Sequence, residues 1–186
     1  MSDIERKIAF ILETEKLKSV LRKTKPVGEE RFENSAEHSW QTTLAAVIFM
    51  PEELDAAKVL KMLLIHDIVE IDTGDVFVYD DAAREAAYEN ERVAAQRIFG
   101  MLPDPLGDEM LHLWEEFEAR SSPEAVYAKA VDRLCPVVQN TSTNPNSWTE
   151  HGISKEQVLA KNEEIENVNP ALWSILQDRI DEHKFG

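Results

Sequence analysis

The sequence predicts an all-α fold, a single-domain helical bundle of roughly seven or eight helices spanning residues 1–186. Three observations carry that prediction. Apolar residues recur at three- and four-residue steps along almost the whole chain. No segment shows the strict alternation of a half-buried strand, and there is no internal repeat or low-complexity tract. Capping residues, prolines and glycines punctuate the periodic stretches at helical lengths.

Ile4, Ile8, Ile11 and Leu12, continuing to Leu17, Val20 and Leu21, describe an amphipathic helix that Pro26-Val27-Gly28 ends. Gly28 to Asn34 reads as a loop. Asn34 with Glu37 three residues on is a capping-box signal for a helix from Ala36 to Met50. Ala56 to Ile71 reads as one long, mostly buried helix with Gly74 as its stop. Asp80 to Arg97 is rich in Ala, Glu and Arg and reads as a solvated helix. Leu102-Pro103-Asp104-Pro105 is a hinge or loop. Leu111, Trp114 and Phe117 mark the apolar face of a helix from Leu106 to Ala119. Pro123 starts the next, whose face carries Val126, Ala130, Leu134 and Val138 as far as Gln139. Asn140 to His151 is polar and reads as a loop. Ser154 with Gln157 opens a helix to about Ile165, and Asn169-Pro170 opens a last one to about Glu182. The core is expected over about 17–140, with the C-terminal helices (154–183) as a cap or a dimer element.

Thirty-six acidic and 20 basic side chains give a formal net charge of −16. Such a surface repels phosphate backbones, and no Lys/Arg cluster offsets it, so a nucleic-acid polymer is excluded as a partner. No apolar run reaches the roughly 18 residues of a membrane span, and the start, MSDIERKIAF, lacks a basic-then-apolar leader pattern. The single cysteine, Cys135, permits no internal disulfide and fits a reducing compartment. The expectation is a cytoplasmic protein without a membrane partner.

The chemistry is concentrated in Lys61-Met62-Leu63-Leu64-Ile65-His66-Asp67-Ile68-Val69-Glu70, where an imidazole and a carboxylate stand side by side in an apolar helix. Burying both is costly unless each is paired or bound to a metal. Taken alone, the segment equally fits a buried His–Asp hydrogen bond that only organises the core. Two further positions bear on it: His38 in Ser35-Ala36-Glu37-His38-Ser39-Trp40, and Asp132 in an apolar stripe from Ala128 to Leu134. Two imidazoles and two carboxylates are a donor set suited to a divalent transition ion with a position left for water or a substrate oxygen.

The order His…His-Asp…Asp resembles the HD-domain metal-dependent phosphohydrolases. More narrowly it is similar to their 5′-deoxynucleotidase group, through Glu37-His38-Ser39, His66-Asp67-Ile68-Val69-Glu70 with Thr73-Gly74-Asp75, Leu113 to Glu118, and Lys129 to Arg133. The resemblance covers about Leu17 to Gln139. It implies an HD-type helical domain that hydrolyses (deoxy)ribonucleoside 5′-monophosphates with Co²⁺, Mn²⁺ or a similar divalent ion. It implies His38, His66, Asp67 and Asp132 as metal ligands and Glu70 as the acid/base partner of the attacking water. Arg22, with Lys23 beside it, takes the place that grips the 5′-phosphate, and Asp75 a catalytic position near the sugar and the ion's waters. A homodimer is the implied assembly. The group commonly carries a Trp shortly after that Arg, whereas Lys23-Thr24-Lys25-Pro26-Val27-Gly28 has no aromatic residue. That departure, with Lys23 and Lys25 free to meet further phosphates, keeps open an HD-type hydrolase of a phosphodiester or a polyphosphorylated nucleotide. A non-catalytic acidic helical interaction module with a structural metal is the alternative from another class.

The other conspicuous residues read as structural. His112 is expected at the surface or in a capping role, and His151 and His183 on the solvent side. Trp114, Phe117, Trp148 and Trp173 are expected to pack in the core, and Cys135 to be a buried, inert thiol. Arg31 and Arg133 read as salt-bridge formers, and Glu115 and Glu118 as a solvated face or as supports for a ligand. Leu172, Trp173, Leu176 and Ile180 are expected to close the domain or to build a dimer seam.

Overall fold

The computed structural model describes residues 1–183 and 185, apart from the side chains of residues 81, 84 and 85. Eight α-helices of eight or more residues run through them: α1 (Asp3–Thr14), α2 (Ser35–Phe49), α3 (Ala56–Ile65), α5 (Asp81–Phe99), α6 (Leu106–Ala119), α7 (Pro123–Ser142), α9 (Lys155–Asn162) and α11 (Pro170–Glu182). Three short pieces complete the series: α4 (Glu70–Thr73), α8 (Ser147–Glu150) and α10 (Glu164–Val168). No strand occurs among the described residues; an isolated antiparallel bridge joins Leu21 and Asn34.

Local sequence sets the helix starts. Ser2 with Glu5, Asn34 with Glu37 and Ser154 with Gln157 form capping boxes, each satisfying backbone N–H groups that the first turn leaves open. Asp55, Asp80, Ser122, Asn146 and Asn169 cap α3, α5, α7, α8 and α11 through their side chains. Such a cap is worth about 1 kcal/mol. Gly74 ends α4 at φ +74°, where a Cβ would be strained, as its stop role requires.

Tertiary packing overrides the periodicity in four places. The first helix stops at Thr14 and tightens into a 3₁₀ turn, Glu15–Ser19, which buries Leu17. Its predicted apolar face is not covered: Ile4, Ile8, Ile11 and Leu12 stay exposed, while Phe10 meets Phe99. The expected long helix from Ala56 to Ile71 is interrupted by a 3₁₀ turn at His66–Val69. The helix read as solvated buries Ala94, Ala95, Ile98 and Phe99 at its C-terminal end. The polar segment from Asn140 to His151 carries the α8 turn, and its Trp148 is buried.

Three apolar clusters follow. Leu17, Ile68, Phe99 and Trp114 belong to the first, and Ala46, Met62, Leu63, Phe117 and Val131 to the second. The third joins Leu134 and Val137 of α7 to Trp148, Val158, Ile165, Trp173, Leu176 and Ile180. The C-terminal helices thus spend their apolar residues on α7, and Trp173, Leu176 and Ile180 are unavailable as a dimer seam. Trp114, Phe117, Trp148 and Trp173 pack in the core as expected.

Candidate metal and phosphate site

The site is assembled where α2, the turn after α3, and α7 converge. His38 sits one turn into α2, fully buried. After Ile65 the backbone leaves the α-helical ladder, and the indole N–H of Trp114 donates to the His66 carbonyl at 3.2 Å. His66 Nδ1–H donates to the Leu63 carbonyl at 2.8 Å, so the neutral ring presents a bare Nε2. Asp132 comes from the middle of α7.

These groups meet closely although they are far apart in sequence. Asp132 Oδ1 lies 2.7 Å from His38 Nε2 and 3.5 Å from His66 Nε2. Asp67 Oδ1 lies 3.1 Å from His66 Nε2, and Asp67 Oδ2 lies 4.0 Å from His38 Nε2. His66 Nε2 is buried and makes no well-formed hydrogen bond despite its two carboxylate neighbours. Among the described residues, His38, His66 and Asp67 bring donor atoms within 4.8 Å of one another, and Asp132 joins them from the α7 side. Two imidazole nitrogens and two carboxylates around one point, one nitrogen without a partner, fit a divalent cation.

Arg22 approaches from the loop before α2. Backbone bonds from Arg22 N to Glu33 O (2.9 Å), Glu33 N to Thr24 O (3.0 Å) and Ser35 N to Val20 O (3.0 Å) fasten that loop to the start of α2. Arg22 Nη1 is 3.0 Å from Asp67, 3.4 Å from Asp75 and 3.9 Å from Glu70, and its Nε is 3.3 Å from Glu33. Burial works against its charge, but Asp67, Asp75, Glu70 and Asp132 outweigh burial and hold the guanidinium more firmly protonated than usual. Glu70 accepts from Ser35 Oγ at 2.5 Å. Burial first, then the neighbouring Asp67, push its carboxyl well above the usual range. Asp75 is raised by burial too, with Arg22 opposing. Asp132 goes the other way: burial is outweighed by His38 and His66, which hold it well below the usual range. The surroundings thus drive Glu70 and Asp132, which line one cavity, in opposite directions.

Arg22, His66, Asp67, Glu70, Asp75 and Asp132 all line one polar cavity of about 160 Å³. An adjoining cavity of about 70 Å³ shares Arg22, Asp75, Asp132 and Arg133 but has apolar walls from Phe77, Tyr79, Pro136, Val137 and Trp148. Lys23 lines this second cavity, which also holds Asp75 and Asp132, and does not line the first. Lys25 is engaged elsewhere, 2.6 Å from Glu150. All the other site residues named from the sequence come together.

Sequence reasoning missed two groups. Glu33, one residue before the α2 cap, is buried with its carboxylate on Thr24 Oγ, on Gln139 Nε2 (2.6 Å) and 3.7 Å from His38 Nδ1. Lys129, three residues before Asp132, is buried, lies 3.9 Å from the centre of the Phe117 ring and 2.8 Å from Glu118, and lines the polar cavity. The spacing from Asp132 was the available signal for Lys129; Glu33 offered none, because a carboxylate in a loop reads as exposed.

The remaining residues divide. His112 is exposed and donates to Asp108 O at 2.8 Å, and Cys135 is buried with its thiol pushed up to about 12, chiefly by burial. Arg31 pairs with Glu37 at 2.7 Å and Arg133 lies 3.6 Å from Glu164. His183, expected in solvent, is half-buried between Trp148 and Phe185, 2.9 Å from Asn146.

A family model described as HD domain matches residues 14–173. A solved structure described as a predicted metal-dependent phosphohydrolase from Magnetospirillum magnetotacticum MS-1 superposes with TM-score 0.89 at 38% identity, covering 98% of this chain and 95% of that one. The 5′-deoxynucleotidase of Shewanella oneidensis is 31% identical over 153 residues, 76% of this chain and 77% of its own. The 5′-deoxynucleotidase HDDC2 of Danio rerio is 31% identical over 107 residues, 58% of this chain and 54% of its own. The chain spans about half the length of the HDDC2 proteins it matches.

Proposed function

This chain belongs to the HD domain family, and from that membership we propose that it is a metal-dependent phosphomonoesterase releasing phosphate from (deoxy)ribonucleoside 5′-monophosphates. The observation that carries the reading is the meeting of His66, Asp67 and Asp132 in one polar cavity with Arg22 and Glu70, with the buried His38 reaching Asp132 from behind it at 2.7 Å. Those four residues would hold Co²⁺, Mn²⁺ or a similar ion. Such an ion, when bound, lowers the pKa of water and offsets charge on phosphoryl oxygens.

The chain's own residues supply the rest. Arg22 grips the 5′-phosphate by exchanging a carboxylate contact for two phosphoryl oxygens, which its planar fork suits. Glu70, poised high in its range, takes the proton of the attacking water or passes one to the leaving oxygen. Asp75, held beside Arg22, faces both cavities and positions the sugar. The nucleoside lies in the adjoining apolar cavity, where Phe77 and Tyr79 supply the rings that the stretch after Arg22 lacks. The net charge of −16 repels a phosphate only at long range, because screening over about 8–10 Å leaves the local cations to decide. The same reading makes the protein a cytoplasmic homodimer. Among the described residues, no helix is long and apolar enough to cross a membrane.

The test is phosphate release from a panel of nucleoside mono-, di- and triphosphates and a phosphodiester by metal-stripped protein resupplied with Co²⁺ or Mn²⁺, coupled to elemental analysis of the protein as purified. Monophosphates are expected to turn over fastest. Preference for polyphosphates or diesters moves the activity to the alternative substrates, and no turnover with any metal leaves an interaction module with a structural ion.

A further inference from the structure

We propose that the outer face of α2 is the surface on which two copies of this chain associate. The dimeric state belongs to the reading above, whereas the surface does not follow from it. Trp40, Leu44, Val47 and Ile48 fall at i, i+4, i+7 and i+8, one stripe of a helix. All four are exposed, Trp40 by 67% and Ile48 by 66%. His38 lies on the opposite, buried face of the same helix, so covering the stripe leaves the polar cavity open.

Charge identifies the occupant as a second copy. From His38 to Met50 the chain carries no Asp, Glu, Lys or Arg, in a protein whose formal charge is −16. A two-fold interface sets each surface against itself, so a net-acidic face of this molecule meets its own sign. The α2 stripe is a neutral window that escapes that repulsion. A second exposed stripe, Ile4, Ile8, Ile11 and Leu12 on α1, is interleaved with Glu5, Arg6, Lys7 and Glu13, charges whose desolvation an interface there has to offset. An anionic lipid surface is disfavoured by the absence of Lys and Arg along α2.

The area is also sufficient. Four half- to two-thirds-exposed side chains, one of them a Trp, present roughly 450 Å² of apolar surface. That is more than half of the roughly 800 Å² that each partner buries in a standard interface.

Sedimentation equilibrium of the full chain over about 1–100 μM tests this without reference to turnover. The wild-type chain is expected at twice its 21.2 kDa mass. The double variant Trp40→Glu/Ile48→Glu, which puts four unpaired carboxylates into the interface, is expected at the monomer mass, with association weakened on the order of 100-fold and helical circular dichroism unchanged. Should the double variant lose its helical signal, Val47→Glu replaces it with the same readout. Ile8→Glu is expected to remain dimeric. A monomeric wild-type chain, a dimeric α2 variant, dissociation by Ile8→Glu instead, or a monomer that floats with phosphatidylcholine vesicles each overturns the proposal. Nucleotide turnover by a monomeric wild-type chain overturns the surface while leaving the phosphohydrolase reading intact.

Discussion

Glu70→Gln is expected to make the metal-free protein more stable and the metal-loaded protein inactive. The carboxylate is buried with Asp67 and Asp75 nearby, accepts a hydrogen bond from Ser35 Oγ and is 3.9 Å from Arg22 Nη1. Glutamine keeps the shape and an acceptor for Ser35 while removing a charge that burial opposes. The gain is about 1–3 kcal/mol. For a chain of this size that corresponds to roughly 2–10 °C in Tm. The folded-state pKa of Glu70 lies well above its ordinary 4.5, so the folded protein binds a proton the unfolded chain has released. Its favourable contribution is full below about 4.5 and is lost as pH rises through the raised folded value. The advantage of the variant therefore grows from pH 4 to pH 8. Thermal melts of chelator-treated protein across that range measure it, and nucleotide turnover with Mn²⁺ or Co²⁺ is expected to fall about 10²–10⁴-fold. An unchanged or lower Tm at pH 8, a gain that is largest at pH 4, or undiminished turnover refutes the reasoning. Residues that cost stability while supplying function are the expected compromise of an active site.

Three further perturbations follow from the same geometry. Glu33→Gln removes the carboxylate 3.7 Å from His38 Nδ1, and a competitive-chelator titration is expected to show divalent-ion affinity lower by about 10–100-fold. Lys129→Met keeps the apolar stem over Phe117 but removes the ammonium from the polar cavity. Calorimetry of the metal-loaded protein is expected to show inorganic phosphate binding about 10–100-fold weaker, the size of one lost contact to a charged group. Gly74→Ala meets no atom within 4 Å, so its cost is the backbone alone, at φ +74° and ψ 163°. A melt is expected to show a loss of about 1–3 kcal/mol.

The elements were largely legible in the sequence because caps and apolar periods act locally. Asn34 with Glu37, Ser154 with Gln157 and Gly74 stand where their chemistry required. The departures share one cause, long-range contact. The period through Ile71 gives no hint of the 3₁₀ turn at His66, because the indole that draws off the His66 carbonyl comes from Trp114, 48 residues away. The stripe on α1 looked like a core face, but periodicity says nothing about what lies against it, and the helix packs instead through Phe10 on Phe99 and Arg6 on the carbonyls of Gly100, Met101 and Leu102.

Residue types at fixed spacings determined the fold class, most helix starts and which side chains could serve as ligands, since propensity, capping and donor chemistry are properties of short segments. Distance along the chain hid everything that depends on folding back: the placing of Glu33 under His38, Lys129 on Phe117, Lys23 in the neighbouring cavity, and the closure of α11 on α7. Burial then set the charge states. A carboxyl group has the same intrinsic affinity for a proton at Glu70 as at Asp132 within a fraction of a unit, and only their surroundings drive one up and the other down.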